Sequence, residues 1–94
     1  MSIKDEMFEI ARKAIAEQYK AQIPEGYELW RIEEFDRAKH RAPHLLMEGC
    51  RNPKLKYIAS IHGGTDNYYR AVTELGETAT QAVEACLANL ITNH

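Results

Sequence analysis

The sequence predicts an α+β domain with an N-terminal helix, a three- to four-stranded antiparallel sheet and a C-terminal helix. Three observations carry this. Apolar residues at helical spacing open the chain, Tyr68-Tyr69-Arg70-Ala71-Val72-Thr73-Glu74-Leu75 alternates as a strand up to Gly76, and Thr78-Ala79-Thr80-Gln81 has the form of a capping box. With 94 residues, 45% apolar and 28% charged, the chain reads as a single domain, 1–94, with a small core.

The first helix is expected from Ile3 to about Ala21. Ser2 is placed to cap it, and Asp5 and Glu6 sit in the first turn, where carboxylates complement the helix dipole. Ile3, Met7, Ile10, Ala11 and Ala14 form its stripe, with Phe8, Ile15 and Tyr19 widening it. Pro24 and Gly26 start a turn. Tyr27 to Glu33 is the first strand, with Trp30 and Ile32 on one face and Leu29 and Arg31 on the other.

Residues 34–53 read as a basic insertion, with His44 to Glu48 the one candidate for an added edge strand between Pro43 and the Gly49 to Pro53 cluster. Lys54 to His62 and Tyr68 to Glu74 then form a hairpin around the five-residue loop Gly63-Gly64-Thr65-Asp66-Asn67. Tyr57-Ile58-Ala59 and Tyr69-Arg70-Ala71 each place a Tyr and an Ala on one face. Tyr57, Ala59, Ile61, Tyr69, Ala71 and Thr73 are therefore expected toward the helices. Leu29, Arg31, Ile58, Ser60, His62, Tyr68, Arg70 and Val72 are expected on the other face. The last helix runs to about Thr92 and buries Ala79, Ala82, Val83, Cys86, Leu87, Leu90 and Ile91.

A formal charge of −2 gives no global argument for nucleic acid or membrane, but its distribution is uneven. From Arg37 to Lys56 there are six basic residues (Arg37, Lys39, Arg41, Arg51, Lys54, Lys56) against Glu48; the remainder is acidic. Two isolated cysteines and no secretory h-region point to a cytoplasmic chain with reduced thiols, and no apolar run approaches the ~18 residues of a membrane span.

Candidate chemistry is thin. His40, His44 and Cys50 lack an evident fourth metal ligand and read as loop residues. His62-Gly63-Gly64 and Asp66-Asn67 suit a turn, and Glu33, Glu34 and Asp36 a solvated strand end. Cys50 beside Arg51 has no base to activate it, and Cys86 belongs to the core. No enzyme, cofactor or metal is expected. Two surfaces remain. The sheet face away from the helices, anchored by Arg31, Ile58, Tyr68 and Arg70, has interface composition unless Leu45-Leu46-Met47 folds over it. The basic segment, through Arg37, Lys39, Arg41 and Arg51, suits an acidic protein surface or phosphate, or else pairs with the acidic body of the chain. The segment has no interleaved aromatic, which favours protein over single-stranded nucleic acid. A homodimer through the sheet face or an edge strand is a third reading.

The Trp-bearing strand, the two Tyr-x-Ala strands and Thr78-Ala79-Thr80-Gln81-Ala82-Val83-Glu84-Ala85-Cys86-Leu87 together resemble the small phage-encoded αβββα domains called phage ABA-sandwich proteins. The resemblance spans residues 27–33 and 55–91 and omits the basic insertion. It implies phage or prophage context, where chains of this size act as accessory proteins or as inhibitors of host defence, at the scale of small anti-CRISPR proteins. The order of elements also resembles the double-stranded RNA-binding domain. That family's lysine cluster is replaced here by Glu77, Thr78, Thr80 and Gln81, with no Lys or Arg from Ala71 to His94. The expectation is a non-enzymatic binding protein of phage or prophage type that inhibits a host defence protein by contact. A nucleic-acid-binding accessory protein and a structural homo-oligomer are the alternatives.

Overall fold

The computed structural model describes residues 3–65 and 68–92, with side chains at all of these except 4, 5, 65, 68, 91 and 92. The expected Ser2 cap and Asp66-Asn67 turn lie outside the described residues, as do the side chains of Tyr68 and Ile91. The elements follow in the order α1 (Ile3–Gln18), β1 (Tyr27–Glu34), α2 (Pro43–Arg51), β2 (Tyr57–Thr65), β3 (Tyr68–Gly76) and α3 (Ala79–Thr92). The strands form one antiparallel sheet in the order β1-β2-β3. The α+β class and both terminal helices agree with the sequence; the sheet has three strands.

Helix α3 begins as its sequence dictates. Gln81 N–H donates to Thr78 Oγ1 at 3.2 Å, and Gln81 Oε1 accepts from Glu77 N–H at 3.2 Å, so two amide groups at the helix start are satisfied reciprocally. Ala82, Val83, Cys86, Leu87 and Leu90 are buried against one face of the sheet. Helix α1 packs on the same face through Phe8, Ile15 and Tyr19, joining Leu29, Ile32, Ala59, Ile61 and Val72 in one core. The stripe read from α1 is thus displaced. Ile3, Met7 and Ile10 are exposed, because the sheet takes the side of the helix that carries its aromatic rings.

The segment read as an insertion with an edge strand forms a helix instead. Pro43 occupies its first turn, where a missing N–H costs nothing, and Ala42 before it is extended (φ −61°, ψ 131°). Leu45 and Gly49, four residues apart, give α2 its inward face. Leu45 packs on Ile58 and Leu75 over the second face of the sheet, with Phe35, Ala42 and Leu55 around them. A Cβ on Gly49 would lie 2.7 Å from Phe35 Cε2, so the absent side chain is what lets that ring against α2.

Register decides which residues face which helices. Ile61 pairs with Val72, Ala59 with Glu74 and Gly63 with Arg70, all toward α1 and α3. On the opposite face His62 pairs with Ala71, Ser60 with Thr73 and Ile58 with Leu75. β3 is therefore inverted relative to the sequence reading: Tyr69, Ala71 and Thr73 turn away from α1 and α3, and Val72 turns toward them. The strands pair out to Thr65 and Tyr68, and Gly63 and Gly64 belong to β2 rather than to the turn. A five-residue loop sets odd positions opposite odd ones; the shorter connection sets odd opposite even and flips the whole strand. β1 departs as well. Leu29 pairs with Ile61 and Arg31 with Ser60, so a bulge at Trp30 places Leu29 and Ile32 together in the core and leaves Trp30 outside.

The two thiols sit in opposite environments. Cys86 donates to Ala59 O at 3.2 Å from within the core, and burial pushes its pKa up to about 12, whereas Cys50 is exposed on α2. A thiol reagent at about pH 8 is expected to modify Cys50 alone in the native chain, and Cys86 only after denaturation. Native labelling of both thiols would contradict the packing of α3.

Candidate functional site

The second face of the sheet is covered at one end only. Its rows, taken across the strands, are Glu28-His62-Ala71, Arg31-Ser60-Thr73 and Glu33-Ile58-Leu75. Helix α2 lies over the third row. The first two rows lie beyond α2; Ser60 at the centre of the second is itself buried, while Trp30 and Tyr69 beside them are 55% and 64% exposed.

Three rings are fixed there by contacts outside the core. Tyr69 Oη lies 2.7 Å from His62 Nδ1, and His62 Nε2 lies 2.8 Å from Glu28 Oε1. A carboxylate accepts, so Nε2 donates to Glu28, and in the neutral ring Nδ1 then accepts from the tyrosine hydroxyl. The Trp30 and His62 centroids are 5.2 Å apart, and His62 meets Tyr69 edge-on at 5.9 Å. Arg31 extends the surface, its guanidinium carbon 5.4 Å from the Trp30 ring centroid. Arg31 Nη2 donates to Ser60 Oγ at 3.1 Å, and Ser60 Oγ in turn lies 2.9 Å from Thr73 Oγ1. The residues thus cross all three strands: Trp30 and Arg31 from β1, His62 and Ser60 from β2, Tyr69 and Thr73 from β3.

Between this platform and α2 sits Glu33. Its carboxylate accepts from Lys39 Nζ at 2.7 Å, lies 3.3 Å from buried His40 Nε2, and forms a 3.5 Å ionic contact with Arg31 Nε. Burial raises the Glu33 pKa, but the Lys39 hydrogen bond and the charges of Arg31, Lys39 and His40 outweigh it and hold the carboxyl below its usual range. His40 Nδ1 accepts from Asp36 N–H at 3.0 Å, and its ring stacks on Phe35. His40 is a structural residue of the loop leading to α2. Glu33, expected as part of a solvated strand end, organises that loop.

The residues proposed from the sequence are divided by the fold. Arg31 lies on the open face. Ile58, expected as a surface anchor there, is fully buried beneath α2, because Leu45 folds over that end of the sheet. Arg70, expected beside it, lies on the other face; it donates to Asn89 O at 3.2 Å and to Leu90 O at 3.4 Å. It thereby supplies from β3 the cation that the last turn of α3 lacks. The Tyr68 side chain is outside the described residues. In the basic segment Lys39 is committed to Glu33, and Arg37 Nη2 donates to Gly49 O at 3.1 Å. Arg41 and Arg51 are exposed, with Arg51 in the last turn of α2. The basic segment and the aromatic platform therefore lie toward opposite ends of the same face.

Trp30 and Tyr69 are absent from the sequence-derived set. Leu29 and Ile32, two aliphatic residues three apart in a strand, are the signal for the bulge that exposes Trp30. No family model, no curated protein and no solved structure matches the chain. Among the described residues no cluster of His, Cys, Asp or Glu has metal-site geometry, and no helix is long and apolar enough to cross a membrane.

Proposed function

We propose that this chain is a non-enzymatic binding protein whose open sheet face docks a protein partner. One observation carries the reading: exposed Trp30 and Tyr69, joined through half-buried His62 and Arg31, form a contiguous platform in which Trp, Tyr and Arg are the residue types that dominate interface energetics. The hydrogen bonds holding His62 and Tyr69 in place reduce the ordering cost of binding. A protein partner is favoured over single-stranded nucleic acid by charge. Glu28 and Glu33 flank the rings, and Arg31 is engaged by Glu33, so the platform lacks the excess of cations that a phosphate backbone requires. The narrower form, a phage- or prophage-type inhibitor acting on a host defence protein in the host cytoplasm, rests on the αβββα resemblance.

Affinity capture from host lysate, followed by titration of the purified partner, tests the platform. Trp30→Ala and Tyr69→Ala are each expected to weaken binding by about 30-fold or more, since truncating an interface anchor costs roughly 2 kcal/mol. Charge reversal at Arg41 and Arg51 is expected to have a smaller effect. Equal affinity of Trp30→Ala and the parent chain would remove the platform from consideration. Retention of a generic RNA duplex with a steep salt slope would instead favour the nucleic-acid reading, with Arg41 and Arg51 as its contacts.

A further inference from the structure

Helix α1 has a second apolar face that the fold leaves open. Ile3, Met7 and Ile10 are 77%, 64% and 68% exposed, and Ala14 completes a 4-3-4 spacing. That spacing is the a/d seam of a paired helix, about 16 Å long at 1.5 Å per residue. The seam lies on the flank of α1, turned away from the buried Phe8, Ile15 and Tyr19 by more than a third of a turn. It is continuous with a shallow groove lined by Met7, Phe8, Ala11, Tyr57 and Ala79.

We infer that the occupant of this seam is α1 of a second copy of the chain, running antiparallel. Side-chain size and charge both support this. In an antiparallel pair with Met7 opposite Ile10, Ile3 lies opposite Ala14, so a large side chain meets a small one at each end. Along the flank away from the domain, Glu6 and Lys13 are both exposed and occupy equivalent heptad positions. Antiparallel pairing brings Glu6 of each copy beside Lys13 of the other, twice by symmetry. Parallel pairing would set Glu6 against Ala11 and Lys13 against Gln18, with no charge match. Trp30 and Arg31 adjoin α1 on its other flank, in a pocket they share with Glu9 and Arg12, so pairing through the seam leaves both platforms outside the helix pair.

Sedimentation equilibrium over a wide dilution series reads this directly. The parent chain is expected to pass from monomer to dimer. Met7→Lys, at a position that is already exposed, should leave the circular dichroism spectrum unchanged and weaken dimerisation at least 100-fold. Glu6→Lys and Lys13→Glu singly should weaken it about tenfold, and the double exchange Glu6→Lys/Lys13→Glu should restore it. A parent chain that stays monomeric at its highest concentration overturns the inference, as does a dimer insensitive to Met7→Lys. A double exchange no better than the single variants overturns the antiparallel arrangement. A dimer lost in Trp30→Ala but kept in Met7→Lys would move the contact to the sheet face and overturn the inference.

Discussion

Gly76→Ala is expected to destabilise the domain by about 3 kcal/mol and to lower Tm by roughly 15 °C, read by thermal and urea unfolding. Gly76 ends β3, is buried and lies beneath the first turn of α3. A Cβ there would collide with Ala82 N and lie 2.7 Å from Gln81 C and 2.8 Å from Ala82 Cα. These are backbone atoms, and no rotamer change moves them. The turn is itself held, since Gln81 N–H donates to Thr78 Oγ1 and Ala82 N–H to Thr78 O at 3.1 Å. Relief therefore requires α3 to lift as a body, which separates Val83, Cys86 and Leu87 from Ala59 and Ile61 in the core. Against a total stability of roughly 5–15 kcal/mol this is a large share. A variant that melts with the parent would show that α3 is not seated on Gly76.

Ile58→Ala is expected to cost about 3 kcal/mol by cavity formation, with a different spatial signature. Ile58 is fully buried between Leu45 of α2 and Leu75 of β3, in a cluster separate from the one under α1 and α3. Truncating it opens a cavity in the small cluster that Leu45 of α2 shares with Leu75 of β3. Amide exchange in residues 43–51 should therefore accelerate well before that of α3, as expected of a locally opening unit. The same variant should bind a platform partner normally at temperatures where it is folded. If binding fell while stability held, Ile58 would be an anchor and α2 a cover displaced on docking. The two results separate the core role from the surface role.

What the chain discloses by itself is local. The capping box, the buried face of α3 and the positions of Ala59 and Ile61 follow from short-range pattern, and each is found in the structure. The faces of β1 and β3 depend on counting. Because side chains alternate with period 2, one extra residue at Trp30 and a shortened connection after β2 were enough to exchange inside for outside. For this reason Arg70 and Tyr69 changed places between the helix side and the open side. Helix α2 was obscured by Pro43, which suggests an interruption until it is recognised as the first residue of a helix. The burial of Ile58 follows from α2, so it became visible only with the tertiary packing that Leu45 supplies.

The bulge in β1 also separates what the sheet needs from what it displays. The ladder passes from the Leu29–Ile61 pair directly to the Arg31–Ser60 pair, so Trp30 is supernumerary to the pairing. Without it, Leu29, Arg31 and Ile32 would still alternate in register with β2, and the core would be unaltered. The largest ring of the platform is thus carried by the one residue of an otherwise regular strand that the ladder does not use. The ring can therefore be removed or exchanged without repacking the interior, so what this face recognises is physically separable from what holds the domain together.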